Sequence, residues 1–275
     1  MDKKYIGELI IARLEQSRRD IAQQWAHPES EGTHTRHFYV DDLLPEPVAR
    51  SIYDAFPRNA EGFFDRTSFR ESKKTLTNLQ TCAPILSAIT YALQEPSVID
   101  TVADIAQLSG LVPDPSLYAA GLSMMFKEDF LNPHIDNSHD GSRALYRRMN
   151  FLYYVSPDWT LENGGNFELW DAAVTKQHTV VAKFNRLLVM ETTKTSWHSV
   201  SRVEVDRPRC CVSTYVFSPR SADETEYFHV TSFMGRPEQP TRRVLGRLDN
   251  ALRQTASVVL NTGRGRNLVN RPDQD

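Results

Sequence analysis

His134, Asp136 and His198 have the types and spacing to hold a metal ion. The first two lie two positions apart in Pro133-His-Ile-Asp-Asn137, and His198 follows Asp136 by 62 positions in Trp197-His-Ser-Val200. Side chains at i and i+2 of a strand leave the same face. His134 and Asp136 can therefore reach one ion if 131–137 is extended, and a distant strand must then bring His198. Two imidazoles and a carboxylate with open coordination positions form the donor set that suits non-haem Fe(II) and oxygen chemistry. With eight histidines in the chain, such a pattern can also arise by accident, so the surrounding residues must decide.

Downstream of His198, a turn at 204–208 leads into the apolar, β-rich run Arg209-Cys-Cys-Val-Ser-Thr-Tyr-Val-Phe217. Pro208 has no N–H to donate and fits a strand start, so Arg209 is the first residue able to point from that strand into a barrel. An inward guanidinium is costly without an anion, and its planar fork matches a carboxylate. The plain alternative is a surface arginine at a strand start, with Arg207 as the competing candidate.

The elements that must position these residues change character near residue 120. Before it, 4–26, 42–56, 84–93 and 97–108 read as helices, with prolines near three of the starts, and 37–40 as a short strand. The polar, positively charged stretch 63–78 is expected to cover one face of a barrel. After it, strands are expected over 122–127, 131–137, 149–155, 166–170, 178–182, 186–191, 197–203 and 209–217. Eight short strands in a run suit a double-sheet jelly roll. With helices gathered ahead of it, the fold class is α+β: a double-stranded β-helix core, N-terminal supporting helices and a C-terminal helix. The expected organisation is one domain over 1–275, with helical support to 120, a catalytic core over 121–218 and an extension over 219–275.

Composition agrees. A chain of 275 residues with 40% hydrophobic content can bury a full core, and a net charge of −3 gives no global field toward nucleic acid or an anionic membrane. The three cysteines, two of them adjacent at Cys210 and Cys211, form no disulfide framework and fit a reducing compartment. The N-terminus reads as an amphipathic helix rather than a signal peptide, and no apolar run approaches the roughly 20 residues of a membrane span. A cytoplasmic location is expected.

These landmarks resemble the prolyl-hydroxylase-like branch of the Fe(II)/2-oxoglutarate dioxygenases over residues 121–218. They are Pro133-His-Ile-Asp-Asn137, Asn150-Phe-Leu-Tyr-Tyr-Val-Ser-Pro-Asp-Trp159, Gly164-Gly165, Lys183-Phe-Asn-Arg-Leu-Leu188, Trp197-His-Ser-Val200 and Arg209, in that order. The resemblance implies that His134, Asp136 and His198 hold Fe(II). It also implies that Arg209 pairs with the far carboxylate of 2-oxoglutarate and that Tyr154 donates its hydroxyl beside it. O2 would be the second cosubstrate, the products succinate and CO2, and ascorbate a candidate reductant. A tyrosine that some relatives carry before the first histidine is replaced by Phe126 or Met125. The retained aspartate argues against the halogenating relatives, so hydroxylation is the default.

Substrate is less legible. Arg143, Arg147 and Arg148, expected in a loop at the barrel mouth, would suit a small or glycan-linked anionic substrate, or would simply be solvated or paired with Asp140 and Glu162. Protein prolyl hydroxylation stays open, as do a cupin-like metal enzyme without 2-oxoglutarate and a non-catalytic sensing module. His139 is expected to cap a turn. His27, His34, His37, His178 and His229 are expected at the surface or satisfied in the core, and Glu168 has no assignable role. The arginine-bearing stripe 242–259, with Arg264, Arg266 and Arg271 beyond it, reads as a docked helix with a frayed end more than as a nucleic-acid or lipid contact.

Overall fold

Ile6, Ile10 and Leu14 recur at four-residue intervals on α1 (Lys3–Gln16) and are fully buried, which is why this helix docks. The structure, a computed structural model, describes residues 1–114, 116–118, 120–241 and 243. Asp2 caps α1 by accepting the Tyr5 N–H at 2.8 Å. The single helix expected over 4–26 breaks at Ser17 into α1 and α2 (Arg18–Ala26). The break lets Trp25 meet Phe38 edge-on, ring centroids 6.1 Å apart, on β1 (His37–Val40). The helix expected over 42–56 is shorter, because Asp42 has a φ of 52° and Pro45 is extended, so α3 runs Glu46–Ala55. Proline occupies the first turn of α3, α4 (Pro84–Ala92) and α5 (Pro96–Ala106), where its missing N–H costs nothing.

The remaining strands are β2 (Phe64–Thr67), β3 (Glu71–Leu76), β4 (Gly121–Met125), β5 (Phe130–Ile135), β6 (Tyr146–Tyr154) and β7 (Phe167–Trp170). They continue with β8 (Gln177–Val180), β9 (Arg186–Glu191), β10 (His198–Val200), β11 (Arg209–Ser218) and β12 (Ser232–Phe233). All pair antiparallel in one curled sheet of order β1-β9-β6-β11-β4-β3-β5-β10-β7-β8, with β12 on β5 and β2 on β3. This is a jelly-roll core backed by N-terminal helices.

Two expectations about the sheet need correction. Residues 63–78 form the hairpin β2–β3, and β3 bridges β4 and β5 within the sheet rather than covering it. The segment after Pro219, expected to stand apart, returns to the core, where β12 sets Phe233 opposite His134. Apart from residue 243, the helix expected over 242–259 lies outside the described residues, as do Arg264, Arg266 and Arg271.

Alternation along the strands separates two interiors. Met149, Phe151, Tyr153 and Val155 of the β6 segment join Cys210, Val212 and Val216 in the core shared with the helices. Their neighbours Tyr154 and Cys211 instead join Met125, Phe167, Leu188 and Val200 inside the barrel.

Candidate active site

The metal-ligand side chains come together inside the barrel. His134 is the penultimate residue of β5, Asp136 follows directly after the strand, and His198 opens β10, which pairs with β5 so that the two histidines are Cα partners. His134 Nε2 lies 3.6 Å from Asp136 Oδ1, and His198 Nε2 lies 3.6 Å from Oδ2. One ligand atom from each residue falls within 4.8 Å of the others. Each ring's Nδ1 contacts a backbone carbonyl, that of Asn132 at 3.0 Å for His134 and that of Ser196 at 2.9 Å for His198. This leaves both Nε2 atoms as the ligating nitrogens.

Electrostatics prepare these groups for a cation. Burial, reinforced by His134, drives the His198 imidazole down to about 3, so it is neutral and able to donate a lone pair. Burial alone would raise Asp136. The Arg147 guanidinium and the two histidines overcome it and hold the carboxyl well below its usual range. Asp136 Oδ2 accepts from Asn150 Nδ2 at 2.7 Å and lies 3.4 Å from Arg147 Nη1, contacts that orient the carboxylate for monodentate ligation.

Deeper in the barrel, Arg209 and Tyr154 lie together at 4% and 0% exposure, with the guanidinium carbon 4.8 Å from the phenol ring centroid. Arg209 Nη1 contacts Met125 Sδ at 3.7 Å, while Arg209 Nε and the Tyr154 hydroxyl are buried without hydrogen-bond partners among the described residues. Unmet donors of this kind cost free energy unless an acceptor arrives, and a carboxylate would satisfy both. Gly165, at φ +61°, makes room for Arg209, since a Cβ there would stand 2.8 Å from Arg209 Cδ. Arg207 instead binds the Pro157 and Asp158 carbonyls outside the barrel. Met125, not Phe126, faces Arg209 across the β4–β11 pair.

Residues 120–217 match the family model described as "2OG-Fe(II) oxygenase superfamily". The chain carries a 2OG-Fe(II) oxygenase domain. It resembles solved structures in fold. A prolyl hydroxylase from Trichoplax adhaerens, in complex with a hypoxia inducible factor degradation-domain peptide, aligns with a TM-score of 0.51 and 14% identity, over 74% of this chain and 92% of that one. A Pseudomonas putida prolyl-4-hydroxylase gives 0.51 and 15%, over 73% and 100%. HygX from Streptomyces hygroscopicus, with nickel and 2-oxoglutarate bound, gives 0.50 and 12%, over 74% and 95%. A comparison with curated protein sequences finds no match. The oxygenase is an enzyme that uses iron and 2-oxoglutarate, and His134, Asp136 and His198 form a group that could hold the metal.

The arginines expected in one mouth loop do not form one patch. Tyr146, Arg147 and Arg148 belong to β6. Between the pairs Met149–Val216 and Arg147–Phe217, β6 carries one extra residue, Arg148, a bulge that resets the alternation. Arg147 thus turns toward Asp136 and lies 3.7 Å from the Tyr215 ring centroid. Arg148 turns away to Glu191 at 3.0 Å and to the Ser221 carbonyl. Arg143 stacks on Phe228, 4.4 Å from its centroid.

A cavity of about 320 Å³ opens onto His134 and Asp136, and Arg66, Glu71 and Lys73 from the hairpin, Tyr118, Arg147 and Tyr215 help to line it. Beyond the two metal-ligand candidates, Arg147 is the lining residue with a sequence signal; Arg66, Glu71 and Lys73 had none because the hairpin was not legible as strands. Asn150 did leave a trace, sharing strand phase with Tyr154. His139 is buried against Ser138 and Tyr146, consistent with a turn-stabilising role. No helix among the described residues is long and apolar enough to cross a membrane.

Proposed function

We propose that this oxygenase hydroxylates a C–H bond of a small or glycan-linked anionic substrate, with Arg209 and Tyr154 holding the far carboxylate of 2-oxoglutarate. The lining of the cavity carries this reading. Arg66, Lys73 and Arg147 supply three positive charges against the two carboxylates of Glu71 and Asp136. The two charges of Fe(II) are matched by the two of 2-oxoglutarate, and Arg209 adds a further cation deeper in the barrel, so the occupied site keeps a net positive charge that favours an anionic substrate. When bound, the metal and cosubstrate supply the oxidising chemistry that converts O2 into a hydroxyl on carbon, releasing succinate and CO2. The chain's share is to orient the cosubstrate from Arg209, to fix the Asp136 carboxylate through Asn150 and Arg147, and to wall the cavity with Tyr118, Tyr215 and Phe233. The orphaned Arg209–Tyr154 pair disfavours a metal enzyme that dispenses with 2-oxoglutarate.

A second reading, hydroxylation of a protein segment, draws on the rim. Phe64, which borders the cavity, is 59% exposed, and Phe69 at the hairpin tip is 46% exposed. Incubation with Fe(II), ascorbate and 2-oxoglutarate, first with a metabolite extract and then with a proline-containing peptide library, separates the two. A gain of one oxygen on an anionic small molecule, weakened in Lys73→Ala while substrate-free succinate formation persists, supports the first reading. Oxygen gain confined to peptides would replace it with the second.

A further inference from the structure

Glu168 on β7 is a buried carboxylate, 4% exposed, behind the metal centre. It is the Cα partner of Ser199, the residue after His198, and accepts the Ser199 hydroxyl. Arg236 arrives from the chain beyond β12 and grips it in bidentate fashion, Nη2 to Oε2 at 2.6 Å and Nη1 to Oε1 at 3.2 Å. The same Nη2 donates to the Val200 carbonyl at 3.2 Å, and Trp170 Nε1 donates to Ser199 Oγ at 2.7 Å. The guanidinium thus joins β7, β10 and the returning segment.

That segment bears on the other histidine too. The His229 carbonyl accepts Ser138 N–H at 3.0 Å, and Met234 N–H bonds the Pro133 carbonyl at 2.8 Å. Between them, the Phe233 ring stacks on the His134 imidazole, centroids 5.2 Å apart and planes inclined by 19°. Residues 229–236 therefore touch the flanks of both metal histidines, one by a ring stack and one through the neighbouring Ser199.

We infer that residues 229–236 are a brace for the metal centre, locked by the Arg236–Glu168 pair, and that Arg236, Glu168 and Phe233 are positioning residues governing how firmly the ion is retained. The inference rests on the His134–Asp136–His198 metal site. Breaking the lock frees β10 to shift His198 and lets Phe233 leave His134, so ligands move out of register with the ion. Because Thr231 and Phe233 also border the substrate cavity, the same segment links substrate space to metal retention.

The test is the rate at which Ni(II)-loaded full-length protein surrenders its metal to excess chelator. Arg236→Gln should accelerate loss on the order of tenfold, the lower end of the range for removing an outer partner of a metal ligand, because Arg236 acts through Ser199 and Val200, and Arg236→Lys should fall between it and the unaltered protein. Asp41→Asn is the control, since Asp41 receives an equally close bidentate grip from Arg186, at 2.6 and 2.9 Å, beside the opposite edge of the sheet. It should leave the rate near that of the unaltered protein while lowering thermal stability. An unchanged rate in Arg236→Gln, or equal acceleration in Asp41→Asn, would overturn the brace. Should Arg236→Gln not fold, Phe233→Leu decides by the same assay: faster loss supports the inference and an unchanged rate rejects it. Unaltered protein that holds no Ni(II) would overturn the metal centre itself.

Discussion

Tyr153 and Tyr154 are adjacent, fully buried, and opposite in their circumstances. Tyr153 faces the helices, and its hydroxyl donates to Asn185 Oδ1 at 2.8 Å within a core built from Ile6, Ile10, Leu14, Val102 and Phe151. Tyr154 faces the barrel, where its hydroxyl has no partner and stands beside Arg209. The helix side of the sheet is closed by close packing of aliphatic side chains. The barrel side keeps orphaned donors, an arginine pressed against a carboxylate, and a neutral buried imidazole. The first arrangement stabilises the fold and the second spends stability on a site that ligands complete.

If this division holds, substitutions on the two sides should fail in different assays. The largest effect belongs to Asp136→Ala, which removes a ligand outright. Metal retention should fall by more than the roughly 10- to 100-fold expected for an outer partner, and 2-oxoglutarate-dependent succinate formation should vanish. Metal binding by calorimetry and succinate assay check it, and retained turnover would place the site elsewhere.

Arg209→Ala comes next, and should weaken 2-oxoglutarate binding by about 2 to 5 kcal/mol, the range for truncating one partner of a buried charge pair, with metal affinity in the absence of cosubstrate preserved. Arg207→Ala should change little, because its guanidinium is engaged by the Pro157 and Asp158 carbonyls. A larger effect at Arg207 would reverse the assignment. On the helix side, Ile10→Ala should cost about 2 to 5 kcal/mol of stability, the range for emptying a buried aliphatic site. Denaturant unfolding measures it, and the folded fraction should keep the cosubstrate affinity of the unaltered protein.

The smallest effect is a pH slope of the metal-free protein. His198 ionises at about 3 when folded and near the ordinary 6.5 when unfolded. Below pH 6.5 the unfolded chain takes up a proton that the folded site refuses, so stability present above that pH is lost as pH falls toward the folded value, at up to about 1.4 kcal/mol per unit. The slope between pH 6.5 and 5 should shrink in His198→Gln. Equal slopes in both proteins would show that burial of His198 does not govern it.

Much of this was legible before any coordinates. That His134, Asp136, His198 and Arg209 face one barrel interior was legible because strand alternation and a strand-initiating proline are local features, and the jelly roll followed from closely spaced strand signals. What stayed hidden depends on pairing between distant segments. Residues 64–76 read as polar cover because their strand character comes from bonding to β4 and β5. Arg147 and Arg148 read as neighbours in a loop because the bulge that parts them is set by register with β11. Glu168 had no visible purpose because Arg236 lies 68 positions away, and nothing local foretells that meeting.

The central claim, that one barrel interior holds iron through three side chains and 2-oxoglutarate through Arg209, meets its most direct test in a crystal structure of the protein with Ni(II) and 2-oxoglutarate. The account predicts one ion bonded to His134 Nε2, His198 Nε2 and a single Asp136 oxygen, with the distal carboxylate of 2-oxoglutarate accepting from Arg209 and the Tyr154 hydroxyl. An ion bound without His198, or a distal carboxylate seated on Arg147 or Arg207 instead, would contradict it.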